Sequence, residues 1–428
     1  MEQAAKYDSP TTPMAFPMEF IRLWMRTAVL FFVSASMFGL LMRYLFIGEI
    51  PFVTYKNILH AHSHTALEGW AFMFLSGGLM WLFIPTTTQL KQYRWLFGFN
   101  VLSASGMVLS FPIQGYGPVS ISFSTLHLLC SYYFAYLFLS DLRKVESTDA
   151  TRFAKWGVYW MLVSTLGLWV IAPVGMVLGK LHPIYFMCVQ FFLHFQLNGW
   201  LTFAVLAMFT SHVQKSLPQF KVSGVGFWLL QLSLLLTYLL SVTWSTPIPA
   251  LFYINSLGVI LQALALFLIL KPVFATSVLS IKNAKWQQWM LVAGISCLII
   301  KVLIQMAVAL PVVATISYTI KNFVIGFIHL VVIGSVTLTG AGILLKRELL
   351  PVDKRSKKGW LILLSAFVLS EIVLFSQGLL LWMSLGFVPY YHTILFAVSI
   401  LFPIALLIIA SGFWKTSASV SLNLKPNH

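Results

Sequence analysis

The sequence predicts an all-α, polytopic integral membrane protein with about twelve transmembrane helices in a single membrane domain, 1–428. Two observations carry that expectation. Of the 428 residues, 59% are hydrophobic and 9% charged, with a mean hydropathy of +0.88. A soluble domain is nearer half apolar and a quarter charged, so this chain has too little polar surface to face water on all sides. The apolar residues also fall into runs of about twenty or more, the length that crosses a bilayer.

The runs follow in order. The first, 20–46, is long enough to span and reads as an uncleaved first helix. The second, 59–85, opens on a cluster of histidines and closes at Pro85-Thr86-Thr87-Thr88. The third and fourth, 93–113 and 118–141, are separated by Gly115-Tyr116-Gly117-Pro118, a turn sequence. The fifth to seventh, 153–179, 183–211 and 224–244, are joined by short polar segments. Pro247-Ile248-Pro249 opens the eighth, 247–270, and the last four lie at 286–310, 316–345, 359–385 and 391–414. No convincing internal repeat is apparent.

Orientation follows from the basic residues. With the N-terminus in the cytoplasm, 22 of the 27 Lys and Arg fall in the N-terminal segment, the even-to-odd loops or the C-terminal tail, most densely from Lys346-Arg347 to Lys357-Lys358. Retention of basic loops on the cytoplasmic side then places both termini inside. The net charge of +16 is explained by that bias, so no nucleic-acid partner is expected; the lipid bilayer is the expected surroundings. Cys130, Cys188 and Cys297 all lie in apolar stretches without a CxxC pair and read as buried thiols.

Seven of the ten histidines sit on even-numbered spans or their outer ends: His60, His62, His64, His182, His194, His329 and His392. Ionisable side chains inside a bilayer are expensive and usually face the bundle interior, where they act. His60, His64 and Glu68 recur every four residues and share a helix face, with His62 roughly opposite. Neutral imidazole ligates haem iron, copper or zinc, and its second nitrogen needs an orienting acceptor; Glu68 is placed to be that acceptor or a proton carrier. His194 shares its face with Asn198 and is followed by Gly199, while His329 is flanked by Gly326 and Gly334, which make room for a flat macrocycle or for helix packing. His62, His194 and His392 are candidates for a second metal site. Lys301 and Glu371 are expected to pair or to join Glu68 in a proton path. His127 is expected to bond a neighbour, and His212 and His428 to be solvated at the cytoplasmic side.

Histidines on the second, sixth and tenth spans give a layout that resembles subunit I of the haem–copper oxidase superfamily, which includes quinol oxidases and nitric oxide reductases. The Leu59-His60-Ala61-His62-Ser63-His64 run resembles the family's helix 2 motif. His329-Leu330-Val331-Val332-Ile333-Gly334 resembles the low-spin half of its helix 10 motif, and His194 occupies its helix 6 position. NnrS-type haem- and copper-containing membrane proteins are similar in the same respects. The resemblance implies a haem, of b type, held by His329 with His60 or His64, and copper or another transition metal as a further cofactor. It also implies quinol or other respiratory electron donors and a bacterial-type inner membrane. Two departures weigh against the family's dinuclear centre: Phe327 stands where a second helix 10 histidine belongs, and the seventh span has no histidine pair. The alternatives are a haem or metal sensor or assembly factor, and a proton or metal transporter using the same residues.

Overall fold

The computed structural model describes residues 13–282 and 284–422, with side chains to Phe413. Twelve helices are long and apolar enough to cross a membrane: α1 (Met18–Tyr44), α2 (Tyr55–Phe83), α3 (Leu90–Gln114), α4 (Pro118–Leu142), α5 (Asp149–Val177), α6 (Pro183–Ser216), α7 (Gly224–Thr243), α8 (Pro249–Phe274), α9 (Trp286–Ala307), α10 (Lys321–Lys346), α11 (Lys354–Trp382) and α12, whose spanning part is Tyr391–Phe413. The expected multi-pass architecture is therefore present. Both chain ends lie outside the described residues. Proline at the first turn of α4, α6 and α8 starts each helix where its missing N–H has no partner to lose. Two-residue strands, β1 (Met14–Ala15) and β2 (Thr86–Thr87), pair antiparallel and tie the segment before α1 to the α2–α3 connection.

Hydropathy alone places one boundary wrongly. The expected span 316–345 is two helices: a short one, Pro311–Thr319, and α10, which starts at Lys321 after an extended Ile320. His329 is thereby eight residues into its helix, about 12 Å at 1.5 Å per residue.

The three histidine-bearing helices form the inside of the bundle. Their core windows are 72, 78 and 67% buried in α2, α6 and α10, against 28–50% for the rest. Each changes to π-helix immediately after its histidine: Thr65–Ala71 after His64, Phe195–Leu201 after His194, and Leu330–Leu338 after His329. Widened turns of this kind are rare and concentrate at functional sites. The π segment of α10 touches those of α2 and α6, and Trp70 Nε1 donates to Thr337 Oγ1 across the first contact (3.2 Å).

An internal repeat is thereby visible that length and hydropathy conceal. Each histidine is followed five residues later by a glycine, Gly69, Gly199 or Gly334, that receives a side chain from the helix before it. A Cβ there would lie 3.1 Å from Phe31 Cβ of α1, 2.7 Å from Trp160 Cβ of α5, or 2.8 Å from Cys297 Sγ of α9. Helices α2, α6 and α10, each four spans after the last, thus share one local pattern, and the even number of crossings between them gives all three the same direction.

Candidate functional site

The three equivalent histidines have different surroundings. His64 uses both ring nitrogens: Nε2 meets Tyr116 Oη at 2.8 Å and Nδ1 meets Glu68 Oε1 at 2.8 Å. Desolvation of its hydroxyl, followed by the charge of Glu68, holds the Tyr116 phenol above its ordinary range. Tyr116 therefore donates to Nε2, and Nδ1–H donates to Glu68. The His64 ring also stacks on Phe111, with centroids 4.3 Å apart. His64 is thus turned toward α3 and the α3–α4 connection.

His194 is satisfied too. Its Nε2 lies 2.8 Å from the Leu234 carbonyl of α7, and Asn198 Nδ2 is 3.4 Å from its Nδ1. A ring with both nitrogens engaged in a buried site reads as part of the α6–α7 contact. His329 differs. Its Nδ1 is buried without a hydrogen-bond partner, as are both carboxylate oxygens of Glu371. The two groups stand 3.8 Å apart, within ion-pair range but too far for a hydrogen bond.

His62 is the helix 2 histidine within electrostatic reach of His329. Its Nδ1 lies 2.8 Å from the Ala35 carbonyl of α1, and its ring fits against Gly39, where a Cβ would be 3.1 Å from Cε1. His329 is within electrostatic reach of both His62 and Arg43. By helical rise His62 is about 10 Å into α2, close to the depth of His329 in α10. An imidazole that donates Nδ1–H to a backbone carbonyl keeps Nε2 for a metal, the usual second-shell arrangement around a ligating histidine. Two imidazoles of this kind are the donor chemistry that haem iron takes. Gly326 and Gly334 are filled by the protein itself, against Phe375 and Glu371 in one case and Cys297 and Phe367 in the other.

The remaining expected residues do not converge. His60 tilts over the Tyr116 ring, and its Nε2 is buried without a partner. His182 caps α6, accepting from Ile184 N at 3.3 Å. His392 stacks on Phe46, with centroids 4.7 Å apart. His62, His194 and His392 are not brought together, and no group of three His, Cys, Asp or Glu side chains among the described residues is arranged to hold a metal ion. Lys301 and Glu371 do not pair: Glu371 belongs to His329, whereas Lys301 is near His194. His127 has no hydrogen bond at Nδ1 and packs edge-on against Phe72, and His212 is buried rather than solvated. His428 lies outside the described residues.

Composition had marked Tyr116 only as part of a turn, and a carbonyl such as that of Ala35 leaves no trace in sequence. Arg43, near the end of α1, is within electrostatic reach of His62, His329 and His392.

No family model matches the chain, and no curated protein matches it. Among solved structures, a dimeric heme-copper terminal oxidase determined by cryo-EM is similar over 96% of this chain and 85% of that one, with a TM-score of 0.58 at 15% identity. Identity that low carries the fold and nothing finer: this chain is a bundle with twelve helices long and apolar enough to cross a membrane, similar in fold to that oxidase.

Proposed function

We propose that this protein is a haem-bearing electron-transfer protein of the membrane, with His62 and His329 as the axial pair. The observation that carries the reading is the contrast among the histidines. His64 and His194 have both ring nitrogens engaged, whereas His62 is oriented by a backbone carbonyl and His329 has an unpartnered Nδ1 beside Glu371. His62 and His329 would hold the haem, and a haem held by two imidazoles would supply electron transfer. Around it, Ala35 orients His62, Glu371 sets the charge near His329, and Arg43 offers a cation at the outer side. Donors for a copper partner are lacking, because α7 has no histidine and His194 is engaged. Dioxygen or nitric oxide reduction is therefore not part of the proposal, and a membrane quinol is the proposed electron donor.

The deciding experiment is an absorption spectrum of purified protein after expression with ample haem. The expected result is a Soret band with sharp reduced α and β bands, both lost in His62→Ala and His329→Ala. Stoichiometric haem that survives both substitutions would overturn the assignment, and absence of any Soret band would remove the haem itself.

A second reading, proton transport, is favoured by the hydrogen-bonded chain Tyr116–His64–Glu68 and by π-interrupted helices that share one local pattern. Proton flux into proteoliposomes, abolished by Glu68→Gln in protein free of haem, distinguishes it.

A further inference from the structure

Four buried polar groups left without a partner line up where α8 packs on α9. Asn255 and Gln262, two helical turns apart, occupy the buried face of α8 at 0% and 4% exposure. Lys301 and Gln305, one turn apart, occupy that of α9 at 1% and 9%. The two helices run antiparallel and touch at their outer ends, where Asn255 Nδ2 donates to the Val308 carbonyl (3.3 Å) and Ser256 Oγ to that of Ala309 (2.6 Å). Seven residues inward from the Asn255–Val308 contact, α8 reaches Gln262 and α9 reaches Lys301. Both are therefore about 10 Å below that contact, at the same level.

Four atoms along this seam have no protein hydrogen-bond partner: Asn255 Oδ1, Gln305 Oε1, Gln262 Oε1 and Lys301 Nζ. Asn198 Oδ1 on α6 has none either, and His194, its neighbour one turn earlier, is within electrostatic reach of Lys301. A buried group left unsatisfied costs roughly 1–3 kcal/mol, and an isolated ammonium in hydrocarbon costs more. A row of such groups on two facing helices is too expensive to be packing alone. Three amide oxygens call for donors and one amine calls for an acceptor, and water supplies both.

We propose that the α8–α9 seam, closed in this conformation, opens to admit water from the outer face, past Asn255 and Gln305 and as far as Gln262 and Lys301. Once open, this inlet connects the Lys301 amine with the outer aqueous phase and admits water, protons carried by water, and small hydrophilic reagents. The inlet is independent of the haem reading, because neither His62 nor His329 takes part in it.

The test uses the full chain in sealed, right-side-out vesicles. Gln305→Cys and Gln262→Cys are challenged from outside with a charged, membrane-impermeant methanethiosulfonate, against Ile58→Cys, buried nearer the outer end of α2, and against the wild type with its three native cysteines. The expected result is modification of both seam positions at least tenfold faster than Ile58→Cys. A wild-type measurement stands beside it in case a variant does not fold. Formaldehyde condenses with an amine to an iminium with loss of water, and borohydride delivers hydride to its carbon. Borohydride is an anion and reaches an iminium through water, so Lys301 is expected to be methylated by mass spectrometry. Gln262→Cys reacting no faster than Ile58→Cys, or Lys301 unmodified while Lys56, Lys180 and Lys321 are methylated, overturns the inlet.

Discussion

Replacing Gly294 by alanine tests the closeness of the inner helices. A Cβ at Gly294 would lie 2.3 Å from the Thr339 backbone nitrogen and 2.8 Å from its Cα, whereas ordinary contact begins near 3.4 Å. The obstacle is helix backbone, so no rotamer change relieves it, and α9 must move from α10 by about 1.1 Å, the difference between 3.4 and 2.3 Å. One turn along the same contact, a Cβ at Gly342 would lie 2.5 Å from the Leu291 backbone nitrogen, so the displacement is felt over at least two turns. Overpacking a well-packed site costs about 1–3 kcal/mol, and helix association within a membrane depends on this close approach of small residues. We expect Gly294→Ala to lose about 3 kcal/mol. Gly98 is the control, because a Cβ there meets nothing within 4 Å. Gly98→Ala is expected to be neutral or to gain up to about 1 kcal/mol from helix propensity. The assay is unfolding at fixed detergent composition, read by circular dichroism and tryptophan fluorescence. A Gly294→Ala protein as stable as Gly98→Ala would show that α9 and α10 are not so closely apposed.

His64→Ala should keep the low-spin haem spectrum that His62→Ala loses, because His64 faces Tyr116 and Glu68; the reverse pattern would return His64 to the axial position. Asp141, 1% exposed, accepts from Thr87 Oγ1 at 2.6 Å, Tyr93 Oη at 3.3 Å and Lys144 Nζ at 2.8 Å. Asp141→Ala should cost about 3 kcal/mol by leaving buried donors unpaired. Lys144→Gln, which removes a lysine whose side chain is 55% exposed, should cost under about 1 kcal/mol in the same unfolding assay. Reporter fusions in loop 346–358 and at 116–118 should report opposite sides of the membrane, and agreement between them would undo the orientation.

The spans were legible because crossing a bilayer is a one-dimensional requirement: about twenty apolar residues, whatever they pack against. The spacing of His60, His64 and Glu68 was legible for a related reason, since helical periodicity puts residues four apart on one face, and His64 does bond Glu68. Periodicity does not say which neighbour a face meets. His62, on the other side of α2, meets the Ala35 carbonyl and Gly39 of α1, while the expected partner His64 turns to α3. That assignment depends on helix order around the bundle, a three-dimensional fact. The start of α10 was hidden because Pro311–Thr319 is as apolar as the span it precedes.

The repeat was hidden for another reason: its three copies share one histidine and one glycine in six positions, too little for a comparison of letters to detect. Its physical content is larger than its sequence content. A π segment widens the helix just after the histidine, and the glycine beyond it lets the preceding helix approach to contact distance. The histidine is thereby held at the edge of a rigid, closely packed contact in all three copies. In the first copy a carboxylate one turn on, Glu68, takes its Nδ1–H. In the second an amide, Asn198, stands at the corresponding position. In the third that position is Ile333, which cannot hydrogen-bond, and the carboxylate comes instead from α11 as Glu371, 3.8 Å away. The change from Glu68 to Asn198 to Ile333 thus removes the local partner step by step. His329 is the member of the three left with an unpartnered Nδ1, which is why the proposed haem site is placed on α10.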